Sequence, residues 1–487
     1  MRVSWCVVRS GRQNATPVIR SQVATRSTAA RSLMVLAITC VLAACGTNSE
    51  HANTELGNLI DSTPELTVSG EPVNGALLRR FYARHGFEPV WTTRQTEANA
   101  LLKAVLLAGE NGLDPELFHA ALLRRGTNLS PLDRELLLSD AFLSYGDALA
   151  RGAVPVEHRR DDEALTPEPV DVAARLDAAI DSSDPAAVIE ALAPSTPTYQ
   201  ALRRALRTCR QLPAGRERGE PACVRRLAVN LERQRWLPRS LPPDRVVVNV
   251  AEERLVLYRA DRPVFSTRVV VGQDVERNQS PEFRAEIEAS LYNPPWVIPK
   301  DIAEREIVPK IRRDPGYLAR NRMVVLADGE IQQQAGPDAG LGLIMFDMPN
   351  RFDVYLHDTP DQGLFKRDNR RISHGCIRVQ HPRDFAALLM RQPIDVINQG
   401  IAQGATTRNV LPVPVPVFVV YLTAFLDADG VLQFQPDFYN RDADIWQHLT
   451  RRPSGRHPAA QADNRQASSA SLLAALDGPG APAIRSF

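Results

Sequence analysis

The run Ser373-His374-Gly375-Cys376-Ile377-Arg378 surrounds a cysteine placed to act as a nucleophile, and His357 lies a short way upstream. Acyl transfer through a thiol needs a sulfur, a base to take its proton, and N–H groups to hold the oxyanion that forms next. A small residue beside the sulfur lets a carbonyl approach, and Gly375 is that residue. Val354-Tyr355-Leu356 has strand character and leads into His357, while Ile377-Arg378-Val379 leads away from Cys376. Both groups are therefore expected at the ends of adjacent strands, within hydrogen-bond reach. Tyr355 stands two before His357, so strand alternation places it on the same face, where it can contact substrate. His357, His374, Cys376 and His381 also contain enough ligand types for zinc. Their spacing matches no common zinc pattern, and one cysteine behind a glycine suits acyl transfer better. No metal or cofactor is expected.

The elements around these residues carry a resemblance. Tyr355-Leu356-His357-Asp358-Thr359-Pro360, Leu364-Phe365-Lys366-Arg367 and Ser373 to Val379 together resemble the signature of the L,D-transpeptidases, which carry a YkuD-type catalytic domain and remodel bacterial peptidoglycan. The longer phrasing is similar to the large YcbB-like branch. Asn230-Leu231-Glu232-Arg233-Gln234-Arg235-Trp236, Val247 to Val250, Asn293 to Pro299, Gly336-Pro337-Asp338, and Phe81-Tyr82 with Pro89-Val90-Trp91 agree with it. The resemblance spans about Glu71 to Asp444. It implies an α+β chain, with an N-terminal helical scaffold domain followed by a mostly-β catalytic domain bearing a lid-like insertion. That branch usually holds a three-helix peptidoglycan-binding module between the two. Here Tyr199 to Arg226 passes almost directly into Asn230–Trp236, leaving no room for it.

The resemblance also implies roles. Cys376 is the nucleophile and His357 its base. The backbone carbonyl of Asp358 orients the imidazole. Backbone N–H groups of Gly375 and Cys376, with His374, form the oxyanion hole, and Ser373 and Arg378 position the loop. The side chain of His374 can be structural. Trp296 packs a stem peptide or anchors the insertion. The implied reaction attacks the third residue of a tetrapeptide stem, expels the terminal D-alanine, and passes the acyl group to an amine on a second stem, giving a 3→3 cross-link. Carbapenem-type β-lactams would acylate the same sulfur. The same site can instead hydrolyse, as an L,D-carboxypeptidase or an amidase, or attach a protein lysine. From another class, the chain could be a non-catalytic wall-binding lipoprotein, though such a protein needs neither His357 nor Cys376.

Residues 1–33 hold six arginines and no acid, and Leu33 to Ala44 is a mostly apolar run too short to span a bilayer. It ends in Leu42-Ala43-Ala44-Cys45-Gly46, which resembles a lipobox: a lipoprotein signal over 1–45, with Cys45 acylated and the body held in the periplasm. Gly46 after that cysteine favours the outer membrane. An ordinary cleaved signal peptide is the alternative. Export removes Cys6 and Cys40, and of the remaining cysteines Cys209 and Cys223 flank a Gly/Pro/Arg-rich loop. A disulfide there would contribute roughly 3 kcal/mol and leave Cys376 free; otherwise both are thiols. Formal net charge is +1 over 487 residues, so nothing global points to nucleic acid.

Residues 46–70 read as a flexible tether and 71–207 as the helical scaffold, with Ser130-Pro131 opening a helix to Arg151 and Gly112 to Pro115 as a stop and restart. Phe81, Tyr82 and Trp91 line a glycan groove or, more in keeping with their type, fill a core. Residues 208–243 form a connector and 244–450 the catalytic domain, which opens with a β-meander at Val246 to Val250, Leu255 to Tyr258 and Arg268 to Val271. The Pro-rich stretch about 291–345 is the lid-like insertion. Pro412 to Thr423 reads as a strand pair joined to the next by Asp427 to Gly430. Lys366, Arg367, Arg370, Arg371, Arg378 and Arg383 crowd the cysteine, either as a positive rim for carboxylate-bearing peptides or in internal ion pairs. Residues 451–487 read as a disordered tail.

Overall fold

The computed structural model describes residues 56–60, 66–125, 129–159, 165, 167–211 and 221–450. The leader, Cys45 and the C-terminal tail lie outside them. The scaffold is helical, led by α1 (Gly75–Arg84), α2 (Gln95–Leu106) and α3 (Pro131–Arg151). Ser130 caps α3 by accepting the Asp133 N–H at 3.0 Å, with Pro131 in the first turn, where its missing N–H costs nothing. Gly112, left-handed at φ +73°, ends a short 3-10 turn, and Asp114 caps the next. Phe81, Tyr82 and Trp91 are fully buried, so they are core and line no groove. The expected tether is shorter than 46–70. Residues 56–60 are helical, and Leu56, Ile60, Leu66 and Val68 are buried in the scaffold core. Leu56 and Ile60 stand four apart, one turn of helix, and that apolar pair outweighs the polar composition around it.

Two further helices, α4 (Pro197–Gln211) and α5 (Ala222–Arg235), pack together and are braced by a Cys209–Cys223 disulfide, Cα–Cα 6.4 Å. α5 carries the Asn230–Trp236 run and joins the domains. Asn230 exchanges two hydrogen bonds with Thr423, at 2.7 and 2.9 Å. Glu232, fully buried, accepts from Val154 N–H, Trp236 Nε1 and Arg235, and Arg235 reaches the Asn111 carbonyl. Phe418 and Val420 extend the scaffold's core onto the catalytic sheet.

That sheet contains β1 (Arg245–Asn249), β2 (Arg254–Arg259), β3 (Arg262–Gly272), β4 (Phe283–Tyr292), β5 (Ile344–Asp347), β6 (Leu356–His357), β7 (Arg371–Ser373), β8 (Ile377–Val379) and β9 (Thr407–Val420), in the order β7-β3-β8-β6-β5-β4-β9-β1-β2. β2 also pairs with β3, so the sheet closes on itself around an apolar core that includes Ile287, Phe346, Leu356, Ile377 and Phe385. Pro412 to Thr423 is not a strand pair. β9 is one long strand whose register shifts between Val410 and Val415. Pro412 and Pro414 lack N–H groups and fall at that irregularity, which breaks the ladder without ending the strand. The turn Asp427 to Gly430 closes a separate hairpin, Ala424–Leu426 with Leu432–Phe434. Between β4 and β5 the insertion forms a three-stranded sheet (Trp296–Val297, Ile331–Gln333, Met323–Val325) over a small core of Ile298, Ile307, Met323 and Ile331. No helix among the described residues is long and apolar enough to cross a membrane.

Candidate active site

β6 and β8 run parallel and adjacent, with Leu356 opposite Ile377 and His357 opposite Arg378. Leu356 and Ile377 are fully buried in the core. Strand alternation therefore sends Tyr355, His357, Cys376 and Arg378 to the other face. Cys376 occupies the turn between β7 and β8, and it is the free cysteine among the described residues.

The turn is built by side chains. Ser373 Oγ accepts the Gly375 N–H at 3.1 Å and donates to the Cys376 carbonyl at 2.6 Å. Gly375 sits at φ +119°, a conformation a side chain would strain. Its carbonyl accepts from the fully buried Ser280 Oγ at 2.7 Å, and the same oxygen takes the Gly272 N–H at 2.9 Å. Gly272 must be glycine, because a Cβ there would lie 2.0 Å from the Asn278 carbonyl oxygen. Tyr439 OH donates to the Gly272 carbonyl at 2.6 Å. One expectation changes as a result. The Gly375 N–H is taken by Ser373 and is not available to an oxyanion. The N–H groups of Cys376 and His374 face no acceptor among the described residues.

His357 is buried, with Nδ1 2.6 Å from the Asp358 carbonyl. A carbonyl only accepts, so Nδ1 carries the proton and Nε2 keeps its lone pair. Burial, then the Arg378 charge, lower the imidazole from 6.5 to about 4, against the pull of the Asp358 and Leu341 carbonyls. Burial pushes the Cys376 thiol up; the Tyr355 N–H and Arg378 oppose this, and Asp353 adds to it. Burial also raises Tyr355. The hydrogen-bond reach expected between sulfur and imidazole is absent in this resting state. The sulfur lies 3.9 Å from the Asp353 carbonyl, and no hydrogen bond joins it to His357. The parallel register sets His357 opposite Arg378, two residues and about 7 Å of strand beyond Cys376.

Residues 243–415 match the L,D-transpeptidase catalytic domain model, the YkuD family, and residues 76–206 match the scaffold domain model. This region is an L,D-transpeptidase catalytic domain. A Haemophilus influenzae protein provisionally named an L,D-transpeptidase is 27% identical over 399 residues, covering 76% of this chain and 78% of its own. Among solved structures, an L,D-transpeptidase from Mycobacterium smegmatis is 14% identical with a TM-score of 0.21, the match covering 37% of this chain and 58% of that one. The Ldtfm–avibactam carbamoyl enzyme is 12% identical with a TM-score of 0.20, over 37% of this chain and 49% of that one.

Other expected residues lie around the cysteine turn and in the insertion. Asp358 braces the β5–β6 junction, its buried carboxylate accepting from Leu343 N–H at 2.9 Å and Thr359 N–H at 2.7 Å; burial raises its pKa. His374 Nε2 lies 2.7 Å from Glu306 Oε1, which ties the cysteine loop to the insertion. Trp296 packs in the insertion's small core against Gly340, so it anchors that subdomain. Arg370 and Arg371 do not form a free positive rim: both pair with buried Glu253, and Arg371 also with Asp274. Arg378 was expected to position the loop, yet it makes no hydrogen bond or ion pair among the described residues, and its Nε is buried without a partner. No group of three metal-ligating side chains occurs among the described residues. Ser280, Tyr439, Asp353 and Glu306 were not foreseen. Nothing local marks Ser280 or Tyr439, which reach the loop from 95 and 167 residues away through Gly375 and Gly272.

Proposed function

We propose that this domain forms 3→3 peptidoglycan cross-links through a Cys376 thioester. The observation that carries the reading is a free Cys376, with an unoccupied backbone N–H, on one face of the β6–β8 pair beside a neutral His357. The sulfur turns from the Asp353 carbonyl towards His357. Nε2 takes the thiol proton as the sulfur bonds to the carbonyl carbon of the third stem residue. The oxyanion is held by the N–H groups of Cys376 and His374. The C–N bond to the terminal D-alanine then breaks, and His357 returns its proton to the departing amine. An amine of a second stem attacks the thioester, gives its proton to His357, and the sulfur leaves and is reprotonated.

Intact-protein mass spectrometry after incubation with a carbapenem, beside Cys376→Ala, tests the nucleophile. An adduct on the parent protein alone supports it, and no adduct on the parent rejects it. Tetrapeptide muropeptides then separate cross-linked dimers from hydrolysed tripeptides; tripeptide alone would make the enzyme an L,D-carboxypeptidase. Lipid attachment at Cys45 and a periplasmic, outer-membrane location complete the proposal, on the strength of the leader sequence. Metabolic labelling with a fatty-acid probe, lost in Cys45→Ala, checks them.

A further inference from the structure

A half-buried arginine with no partner beside a reactive sulfur asks for an anion. Arg378 lies two residues past Cys376 on the same sheet face and directly opposite His357. Its Nε is buried and unpartnered, and no carboxylate pairs with its guanidinium among the described residues. Leaving a buried donor unsatisfied is costly, more so for a charged group. The neighbouring arginines show the contrast: Arg370 and Arg371 are saturated by Glu253, Asp274 and backbone carbonyls. Nothing structural hangs from Arg378 that would explain keeping its charge there.

We propose that Arg378 binds the terminal carboxylate of the residue that leaves, so that it selects donor stems ending in a free acid. This rests on the acyl-transfer reading above. The scissile carbonyl must sit at the sulfur, and the leaving residue's carboxylate lies one residue further on. Arg378 stands about 7 Å along the strand from Cys376, within reach of that position. The planar guanidinium can take both carboxylate oxygens at once. A stem whose terminal carboxyl is amidated, or capped by further residues, forfeits the pair.

The test compares alkylation of Cys376 by iodoacetate, an acid, with that by iodoacetamide, its neutral isostere, in the parent protein, Arg378→Gln and Arg378→Lys. Peptide mapping reads the modified residue. The expected result is an iodoacetate-to-iodoacetamide rate ratio that falls about tenfold in Arg378→Gln and is partly restored in Arg378→Lys. A purely structural arginine would slow both reagents alike and leave the ratio unchanged, which overturns the proposal. Should Arg378→Gln not fold, the parent protein suffices. N-acetyl-D-alanine should protect Cys376 from iodoacetamide, and N-acetyl-D-alanine amide should not; equal protection, or none by the acid, also overturns it. With tetrapeptide donors, amidating the terminal carboxyl should raise KM in the parent far more than in Arg378→Gln. If the parent turns over no peptide, the acyl-transfer reading fails, while the alkylation ratio still decides the anion site.

Discussion

Replacing His357 by glutamine should make the protein more resistant to acid. In the folded protein the imidazole titrates at about 4, against about 6.5 in an unfolded chain. Between those values the unfolded chain binds a proton that the folded one refuses, so stability falls as pH falls. The loss begins below about 6.5 and is complete below about 4. A gap of about 2.5 units at ~1.36 kcal/mol each is roughly 3 kcal/mol. Arg378 and burial set this penalty, and both persist across the range. Asp358 contributes with the opposite sign, because burial raises it. It is present in both proteins and cancels from the difference. Urea unfolding at several pH values from about 7 to about 4 measures the effect. The parent should lose roughly 3 kcal/mol more than His357→Gln. Equal losses would mean that His357 is solvated or already paired, and the neutral-base mechanism would lose its footing.

Ser280→Ala leaves the Gly272 N–H and the Gly375 carbonyl without their shared partner; it should cost about 1–3 kcal/mol in urea unfolding and slow Cys376 acylation by loosening the turn. Glu306→Ala removes an exposed contact to His374, so stability should move by less than about 1 kcal/mol. Hydrogen exchange over Ala303–Ile307 should rise, and bulky carbapenems should acylate Cys376 faster. Cys209→Ser with Cys223→Ser should lower scaffold stability by roughly 3 kcal/mol by loop entropy, seen as a lower melting temperature, with iodoacetamide reactivity at Cys376 unchanged.

Local signals were the ones that could be read from the chain. The Ser130-Pro131 helix start, the Gly112–Pro115 break and the meander from Arg245 each depend on residues a few positions apart, and each is where the spacing puts it. The shared face of His357 and Cys376 follows from alternation along two short strands. What escaped depends on distant partners or on atoms within a turn. The Gly375 N–H looks available until the Ser373 hydroxyl is seen to take it. The alternating prolines of β9 suggest an end to the strand, but one long neighbour, β4, pairs with it on both sides of the bulge. Leu56 and Ile60 are too few to announce a helix in a polar stretch, and gain their burial only from the scaffold already folded beneath them.

The resting site is built to be unreactive, and that bears on what switches it on. A cysteine even at its ordinary pKa of about 8.5, opposite an imidazole at about 4, leaves a gap of about 4.5 units, so proton transfer between them costs roughly 6 kcal/mol. Burial widens the gap by raising the thiol. The sulfur is therefore a thiol held near the Asp353 carbonyl and protected from oxidation, because only the thiolate reacts readily. Arg378 is one of the two causes that depress His357. A carboxylate placed on Arg378 offsets that charge at the imidazole and at the thiol alike, so it raises both groups, while burial, the larger cause at each, remains. A neutral acylating agent should therefore find the cysteine slow near neutral pH and faster as the thiol ionises at high pH, read by intact-protein mass spectrometry; a rate that does not rise with pH would refute a resting thiol.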